Sequence, residues 1–296
     1  MITAKQVKEL RDLTGAGMLD CKKALEETNG DIQKAVIYLR EKGMASAAKK
    51  ESRIAAEGLC NGLIKGNEAL VYEVNSETDF VSKNEQFLTL VDTIGDALLN
   101  SNVTNDEEAH NLVYKGQTVA DLLKEATATI GEKITLRRVS RVKKEEAETF
   151  GLYKHQGGRI VSLVVISGDK EVAHNMAMHV AAQKPKYLDE TEIDEEFIAA
   201  ERQILLNQAI EENKNEKKPK PEHILGRIVE GRLNKQLKEV CLVDQPYVKD
   251  PNISVTEYLK SEKAEVKSFL RLEVGEGIQK REEDFKAEVE AQLKGK

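Results

Sequence analysis

Apolar residues in this chain fall at helical spacing near the start, alternate with polar ones through the middle, and return to helical spacing beyond residue 190. Thr3 stands three residues before Gln6, the reciprocal pairing that satisfies two orphan backbone donors where a helix begins. Gly15 and Gly17 end that helix, and Leu19, Ala24 and Leu25 mark a second. Asn29-Gly30 turns the chain, and Asp31 caps a third helix that is expected to stop at Gly43. Residues 1–44 therefore read as a three-helix module, too small to bury much core alone and better suited to docking on something larger. Residues 45–56, rich in Ala, Lys and Ser as far as Arg53, read as a linker.

The period then changes to two. Leu59 to Lys65 and Ala69 to Asn75, split by the turn Gly66-Asn67, predict a β-hairpin with Leu70, Tyr72 and Val74 on one face. Phe87, Leu90, Val91, Ile94 and Leu98, spaced 3, 1, 3 and 4 apart, predict a helix; Val119 to Ile130 predicts another, and Ile134 to Val142 a strand. A similar order restarts at Gly151-Leu152-Tyr153, with a strand from Ile160 to Ile166 and a helix from Val172 to Ala182 that stops before Lys184-Pro185. Gly58-Leu59 and Gly151-Leu152 open similar runs. The middle thus reads as two repeated α+β core subdomains, residues 57–143 and residues 144–187 with 241–275.

Residues 188–240 interrupt the second subdomain with a different texture. Ile193, Phe197, Ala200 and Ile204 are spaced 4, 3 and 4 apart, and Leu225, Val229, Leu233, Leu237 and Val240 are spaced 4, 4, 4 and 3. Two such narrow stripes, joined by the charged, Pro-broken segment Glu211 to Pro221, predict an antiparallel helical coiled-coil hairpin. Lys267 to Val274 reads as a last strand, and residues 276–296 as a C-terminal helical module with Phe285, Val289 and Leu293 on one face.

Composition narrows the function. Of the 296 residues 33% are charged and 40% hydrophobic, the balance of a folded globular chain and not of a disordered one. A net charge of −7, with 4% aromatics, argues against direct nucleic-acid binding, which needs unopposed Lys and Arg and rings for stacking. No apolar run reaches the roughly 20 residues that span a bilayer, so a cytoplasmic protein without a membrane partner is expected. Cys21, Cys60 and Cys241 are far apart and odd in number, and are expected to be reduced, packed thiols.

Catalytic signatures are lacking. The sequence has neither a G-x-x-x-x-G-K-[ST] nor a G-x-G-x-x-G phosphate cradle, and no nucleophile elbow. His174 and His179 stand five apart, which puts the rings on different faces of a helix, one expected buried and the other solvated, and not on one zinc-binding face. Neither cofactor nor metal is expected. Cys21 has no His nearby in sequence, although a distant partner could meet it in space.

One segment stands out: Asn75 to Asn84 places Phe80 among polar turn formers directly after a strand. Loops with an apolar tip commonly bind something. The bland alternative has Phe80 folding back as a core plug and Asp79 capping the next helix.

Thr14-Gly15-Ala16-Gly17-Met18-Leu19-Asp20-Cys21-Lys22-Lys23-Ala24-Leu25, together with Thr78-Asp79-Phe80-Val81, resembles the bacterial elongation factor Ts family. The likeness continues through Ile130-Gly131-Glu132, Tyr153-Lys154-His155, Met178 to Ala182, Val229 to Arg232 and Glu273 to Gly277, and so spans essentially the whole chain. It departs from the family at Val161, where a Gly is common.

The resemblance implies a ubiquitin-associated-like first module, two core subdomains with antiparallel sheets, a coiled-coil hairpin and a C-terminal module. It implies elongation factor Tu as the partner and nucleotide exchange, without an active site of the chain's own, as the activity. It implies that Thr78, Asp79, Phe80 and Val81 disturb the partner's magnesium site. Ile130, Gly131 and His155 are implied to add to that contact, and Met18, Leu19 and Lys23 to grip the nucleotide-binding domain. An adaptor working through the N-terminal module is the main competitor, and a hydrolase or transferase built on Cys21 or His155 a third reading. The hairpin could dimerise, pack on its own body or touch elongation factor Tu.

Overall fold

The structure, a computed structural model, describes residues 2–216 and 218–279. The expected helix carrying Phe285, Val289 and Leu293 lies outside the described residues. The first three helices are α1 (Ala4–Thr14), α2 (Met18–Glu27) and α3 (Ile32–Lys50). The Thr3–Gln6 capping box forms, Gly15 ends α1 in the left-handed conformation, and the Asp31 side chain caps α3. Their shared core is small, made by Val7, Leu10, Cys21, Ala24, Leu25 and Ala35.

The third helix does not stop at Gly43, and the first part of the expected linker is helical as far as Lys50. Met44 to Lys50 supply good helix formers, and Gly43 is there for space. A Cβ on Gly43 would lie 2.7 Å from that of Ala128, so the glycine lets two helices approach closely.

The chain then enters β1 (Glu57–Lys65) and β2 (Glu68–Ser76), followed by α4 (Glu85–Leu99), α5 (Asp106–Asn111), the short ribbon β3 (Val113–Tyr114) and β4 (Gln117–Thr118), α6 (Val119–Ile130) and β5 (Thr135–Lys143). The second part is β6 (Thr149–His155), β7 (Ile160–Ser167), α7 (Lys170–Gln183), α8 (Glu195–Lys214), α9 (Glu222–Val240), the ribbon β8 (Pro246–Tyr247) and β9 (Asp250–Ser254), α10 (Val255–Ser261) and β10 (Glu265–Glu273). Two three-stranded antiparallel sheets result, ordered β1-β2-β5 and β6-β7-β10. Each places the second strand of a hairpin at its centre and closes with a strand that arrives after intervening helices.

Alternation along the central strands decides the layering. Leu70, Tyr72 and Val74 of β2 pack against α4 and α6, while Ala69 and Val71 face the other sheet. In β7, Val164 and Ile166 meet α7 and α10, while Val161, Leu163 and Val165 join the sheet-to-sheet core. The order of layers is helices, sheet, sheet, helices. Val161, where the family commonly has Gly, is fully buried between the sheets and fills space left by Gly62 of β1.

The helical hairpin forms, but of the first predicted stripe only Ile193, just before α8, joins its core. Leu205 and Ala209 of α8 are buried against Leu225, Val229, Leu233 and Leu237 of α9, whereas Phe197, Ala200 and Ile204 are exposed. The α9 stripe is regular enough to fix one side of the contact. Apolar residues occupy two sides of α8, and spacing alone does not say which side meets a partner helix.

Candidate functional site

Strand β2 leaves the core at Ser76, and residues 77–84 form a short loop leading to the start of α4. The loop is wound from inside: the Ser76 hydroxyl donates to the Thr78 carbonyl at 2.9 Å, and that of Ser82 to the Asp79 carbonyl at 2.7 Å. Val81, partly buried on the first core, is its foot. Asn84, not Asp79, caps α4 by accepting from the Gln86 amide at 2.8 Å.

Phe80 is 81% exposed at the tip, so the core-plug reading is overturned. Val81 already fills the space beneath. Asp79 is also exposed, 3.1 Å from the Lys83 ammonium. A fully buried Phe gains about 1.5–3 kcal/mol, and this loop leaves that gain unrealised in the free chain.

The loop is clamped to the turn that follows α6. Gly131, at φ 91°, ends that helix in the left-handed conformation, and the chain reverses so that Glu132 reaches the loop. The Glu132 carboxylate accepts from the backbone amides of Glu77 and Thr78 at 3.0 and 2.9 Å, and from the Thr78 hydroxyl at 2.6 Å. Glu77 replies by accepting from the Lys133 amide at 2.7 Å and pairing with Arg53 at 3.3 Å. Thr78, Asp79, Phe80 and Val81 therefore share one rigid corner with Ile130 and Gly131.

The three-helix module sits beside that corner. Its α3 lies on α6, with Gly43 against Ala128 and Arg40 paired to Glu125 at 3.3 Å. A cleft lined by Met18, Gly15 and Arg11 on one side and by Asn84, Gln86 and Thr129 on the other joins the module's tip to the end of the loop. Lys23 lines a neighbouring cleft of about 530 Å³, together with Leu13, Tyr38, Met44 and Ala128. Met18 and Leu19 are 46% and 74% exposed, so two more apolar side chains face water here.

His155 stands apart from the clamp. It is exposed at the end of β6, its Nδ1 3.3 Å from the Tyr153 hydroxyl, on a turn that rests against β1. Gly158 makes that turn possible, because at φ 107° a side chain would be strained and its Cβ would lie 2.7 Å from the Cys60 carbonyl. Arg159 then pairs with Glu57 at 3.1 Å, and Glu57 lies opposite Ser76 in the strand register. The start of β1 thus links the His155 turn to the base of the loop.

Sequence reading missed Leu13, 64% exposed just before the Thr14-Gly15-Ala16-Gly17 turn, and the clamp residues Glu77, Glu132 and Lys133. Leu13 continues the three-residue spacing of Val7 and Leu10, and each such step turns the side chain about 60° further around the helix, away from the buried face. The clamp joins residues 55 positions apart and leaves no local trace.

The site holds no nucleophile and base pair. Cys21 is fully buried, its thiol pushed up by desolvation and donating to the Ala16 carbonyl, and His155 is not among its neighbours. That counts against Cys21 as the nucleophile of the hydrolase or transferase reading. His179 is buried and His174 exposed, as their spacing predicts. Among the described residues no cluster of His, Cys, Asp or Glu could hold a metal ion, and no helix is long and apolar enough to cross a membrane.

A family model described as Elongation factor TS matches residues 77–276, a span that opens on the clamped loop and closes just after β10. A curated relative, Elongation factor Ts from Acholeplasma laidlawii (strain PG-8A), is 54% identical over 294 residues, covering 99% of this chain and 99% of its own.

Proposed function

The chain belongs to the elongation factor Ts family of translation elongation factors, and on that premise we propose that it drives GDP off elongation factor Tu without an active site of its own. The observation that carries this reading is Phe80, 81% exposed on a loop otherwise fastened at every turn. An apolar ring held rigidly in water is prepared for a pocket on another protein.

A GTPase holds its nucleotide through backbone amides around the phosphates and through a magnesium ion bridging phosphate oxygens. In this reading Phe80 wedges between elements of elongation factor Tu, and the Asp79 carboxylate disturbs the ion's ligand network. Ile130 and Gly131 line the base of the wedge, and His155 adds a contact from the adjoining turn. Met18, Leu19 and Lys23 of the three-helix module, which we read as ubiquitin-associated-like, grip the nucleotide-binding domain. The hairpin of α8 and α9, read as a coiled coil, offers a further surface, to elongation factor Tu or to a second copy.

Exchange is then mutual displacement. If the chain favours the nucleotide-free form of its partner, nucleotide must weaken the chain's binding by the same factor, each tenfold step being about 1.4 kcal/mol. GTP entry releases the chain, and the more abundant nucleotide refills the site.

Titration calorimetry tests this. The affinity of the chain for elongation factor Tu is measured with and without saturating GDP, and that of GDP with and without the chain. Equal factors well above one are expected. Binding to elongation factor Tu that GDP leaves unchanged would defeat the exchange reading and favour an adaptor.

A further inference from the structure

Resting on the exchange reading, we propose that Glu132 is the positioning residue of the exchange loop, its carboxylate fixing Glu77 and Thr78 so that Phe80 meets elongation factor Tu in one geometry. Phe80 has almost no packing of its own, being 81% exposed. Its position must therefore be set by the backbone that carries it. Two successive amides of that backbone converge on one oxygen of Glu132, and the Thr78 hydroxyl donates to the other at 2.6 Å. Hydrogen bonds to an ionised acceptor are about twice as strong as neutral ones.

The clamp is reciprocal and reaches the N-terminal module. Glu77 Oε1 accepts from the Lys133 amide at 2.7 Å, and its carboxylate also pairs with Arg53. The Lys133 ammonium donates to the carbonyls of Glu51 and Arg53 at 2.6 and 2.9 Å, just beyond the end of α3. The loop carrying Phe80, the turn after Gly131 and the chain leaving the module form one hydrogen-bonded unit. Module and wedge are thus presented to the partner together.

A Gln at 132 can keep the contacts of the clamp but not its charge. Its Oε1 can accept from the Glu77 and Thr78 amides while its NH₂ donates to the Thr78 hydroxyl, which accepts as readily as it donates, so Gln loses only the charge assistance. With Ala at 132 the clamp is gone, the Glu77 and Thr78 amides turn to water and the wedge is ordered only on binding. Misplacing a working group by about 1 Å can cost up to roughly 100-fold in rate.

The test uses the full chain with Glu132→Ala and Glu132→Gln. Hydrogen exchange of the Glu77 and Thr78 amides, thermal melting, and the saturating rate and half-saturating concentration for GDP release from elongation factor Tu are measured on each. In Glu132→Ala both amides are expected to lose protection and the saturating rate to fall roughly 10- to 100-fold, whereas Glu132→Gln, which keeps the contacts, should retain most of both. The half-saturating concentration should stay near wild type, because Met18 and Leu19 are untouched. Thr78→Val, which removes only the hydroxyl limb, should give a smaller fall and carries the test if Glu132→Ala does not fold.

Loss of amide protection with an unchanged saturating rate would overturn the proposal. So would both kinetic parameters falling in step with the melting temperature, the mark of a purely structural role. Amides that stay protected in Glu132→Ala would show that Glu132 does not hold the loop. A wild-type chain that fails to accelerate release defeats the exchange reading and this proposal with it, and that case is recognised because the amide protection still differs between wild type and Glu132→Ala.

Discussion

Replacing Glu73 should destabilise this protein by about 3 kcal/mol, and the isosteric Gln should fare little better than Ala. Glu73 lies fully buried on β2, where its alternation faces the seam between β5 and the chain after β10. One oxygen accepts from the Nε of both Arg137 and Arg138, each at 2.7 Å, and the other from the Asn75 amide at 2.8 Å and the Gly275 backbone at 2.7 Å. Arg138 also donates to the Glu273 carbonyl at 2.5 Å, and Arg137 to that of Glu276.

Breaking a buried ion pair by removing one partner costs about 3–5 kcal/mol, because the other charge stays behind. Each arginine side chain is 24% exposed, so water recovers part of the loss and the lower end applies. Gln keeps one acceptor but must aim its NH₂ at either the two Arg Nε–H groups or the pair from Asn75 and Gly275. The assay is urea unfolding followed by circular dichroism, with hydrogen exchange of the Gly275 amide as a local probe. A Glu73→Gln variant within about 1 kcal/mol of wild type would refute the claim that a charged acceptor is needed here.

Three further outcomes are expected. His179 is buried, accepts at Nδ1 from the Val248 amide at 3.2 Å and so donates from Nε2 to Gln245 at 3.0 Å. Desolvation lowers its pKa, so the unfolded chain protonates first as pH falls below about 6.5. Stability should then drop by up to about 1.4 kcal/mol per pH unit until the folded value is passed. His179→Gln should remove that component from unfolding curves, and an unchanged pH dependence would contradict the assignment. The thiols should resist a disulfide reagent at pH 8 until the chain unfolds, since all three are buried, with Cys60 pushed up to about 12 and Cys241 to about 11; fast native labelling would count against this. Gly95→Ala should cost about 1–3 kcal/mol, because the new Cβ would lie 2.3 Å from the Tyr72 hydroxyl, which donates to the Val91 carbonyl at 2.8 Å; a wild-type melting temperature would show that the tyrosine yields.

The elements readable in the sequence were those whose burial follows one clean period. The helix from Val119 to Ile130 has the bounds its pattern predicts, and the first hairpin extends only a residue or two beyond its prediction. Where tertiary contact overrides local signals, reading fails: Gly43 looks like a stop but is a point of close approach, and the seam of α8 is chosen by α9 from two apolar sides. The helix at Val255–Ser261 was missed although Ser254 and Glu257 form a capping box, because its apolar pattern is short. Phe80 was visible as unusual, but whether it plugged the core depended on Val81 already holding that space. The clamp was invisible, because its carboxylates differ in sequence from solvated ones in nothing but their distant partners.

The most direct test of the account is release of a fluorescent GDP analogue from elongation factor Tu, followed with catalytic amounts of the wild-type chain and of Phe80→Ala. Wild type should accelerate release strongly. Phe80→Ala, melting at the wild-type temperature because its ring is exposed, should lose roughly 10-fold or more of that acceleration, the rate equivalent of withholding about 1.5 kcal/mol of ring burial. Full acceleration by a folded Phe80→Ala chain would contradict the wedge, and no acceleration by wild type would contradict exchange itself.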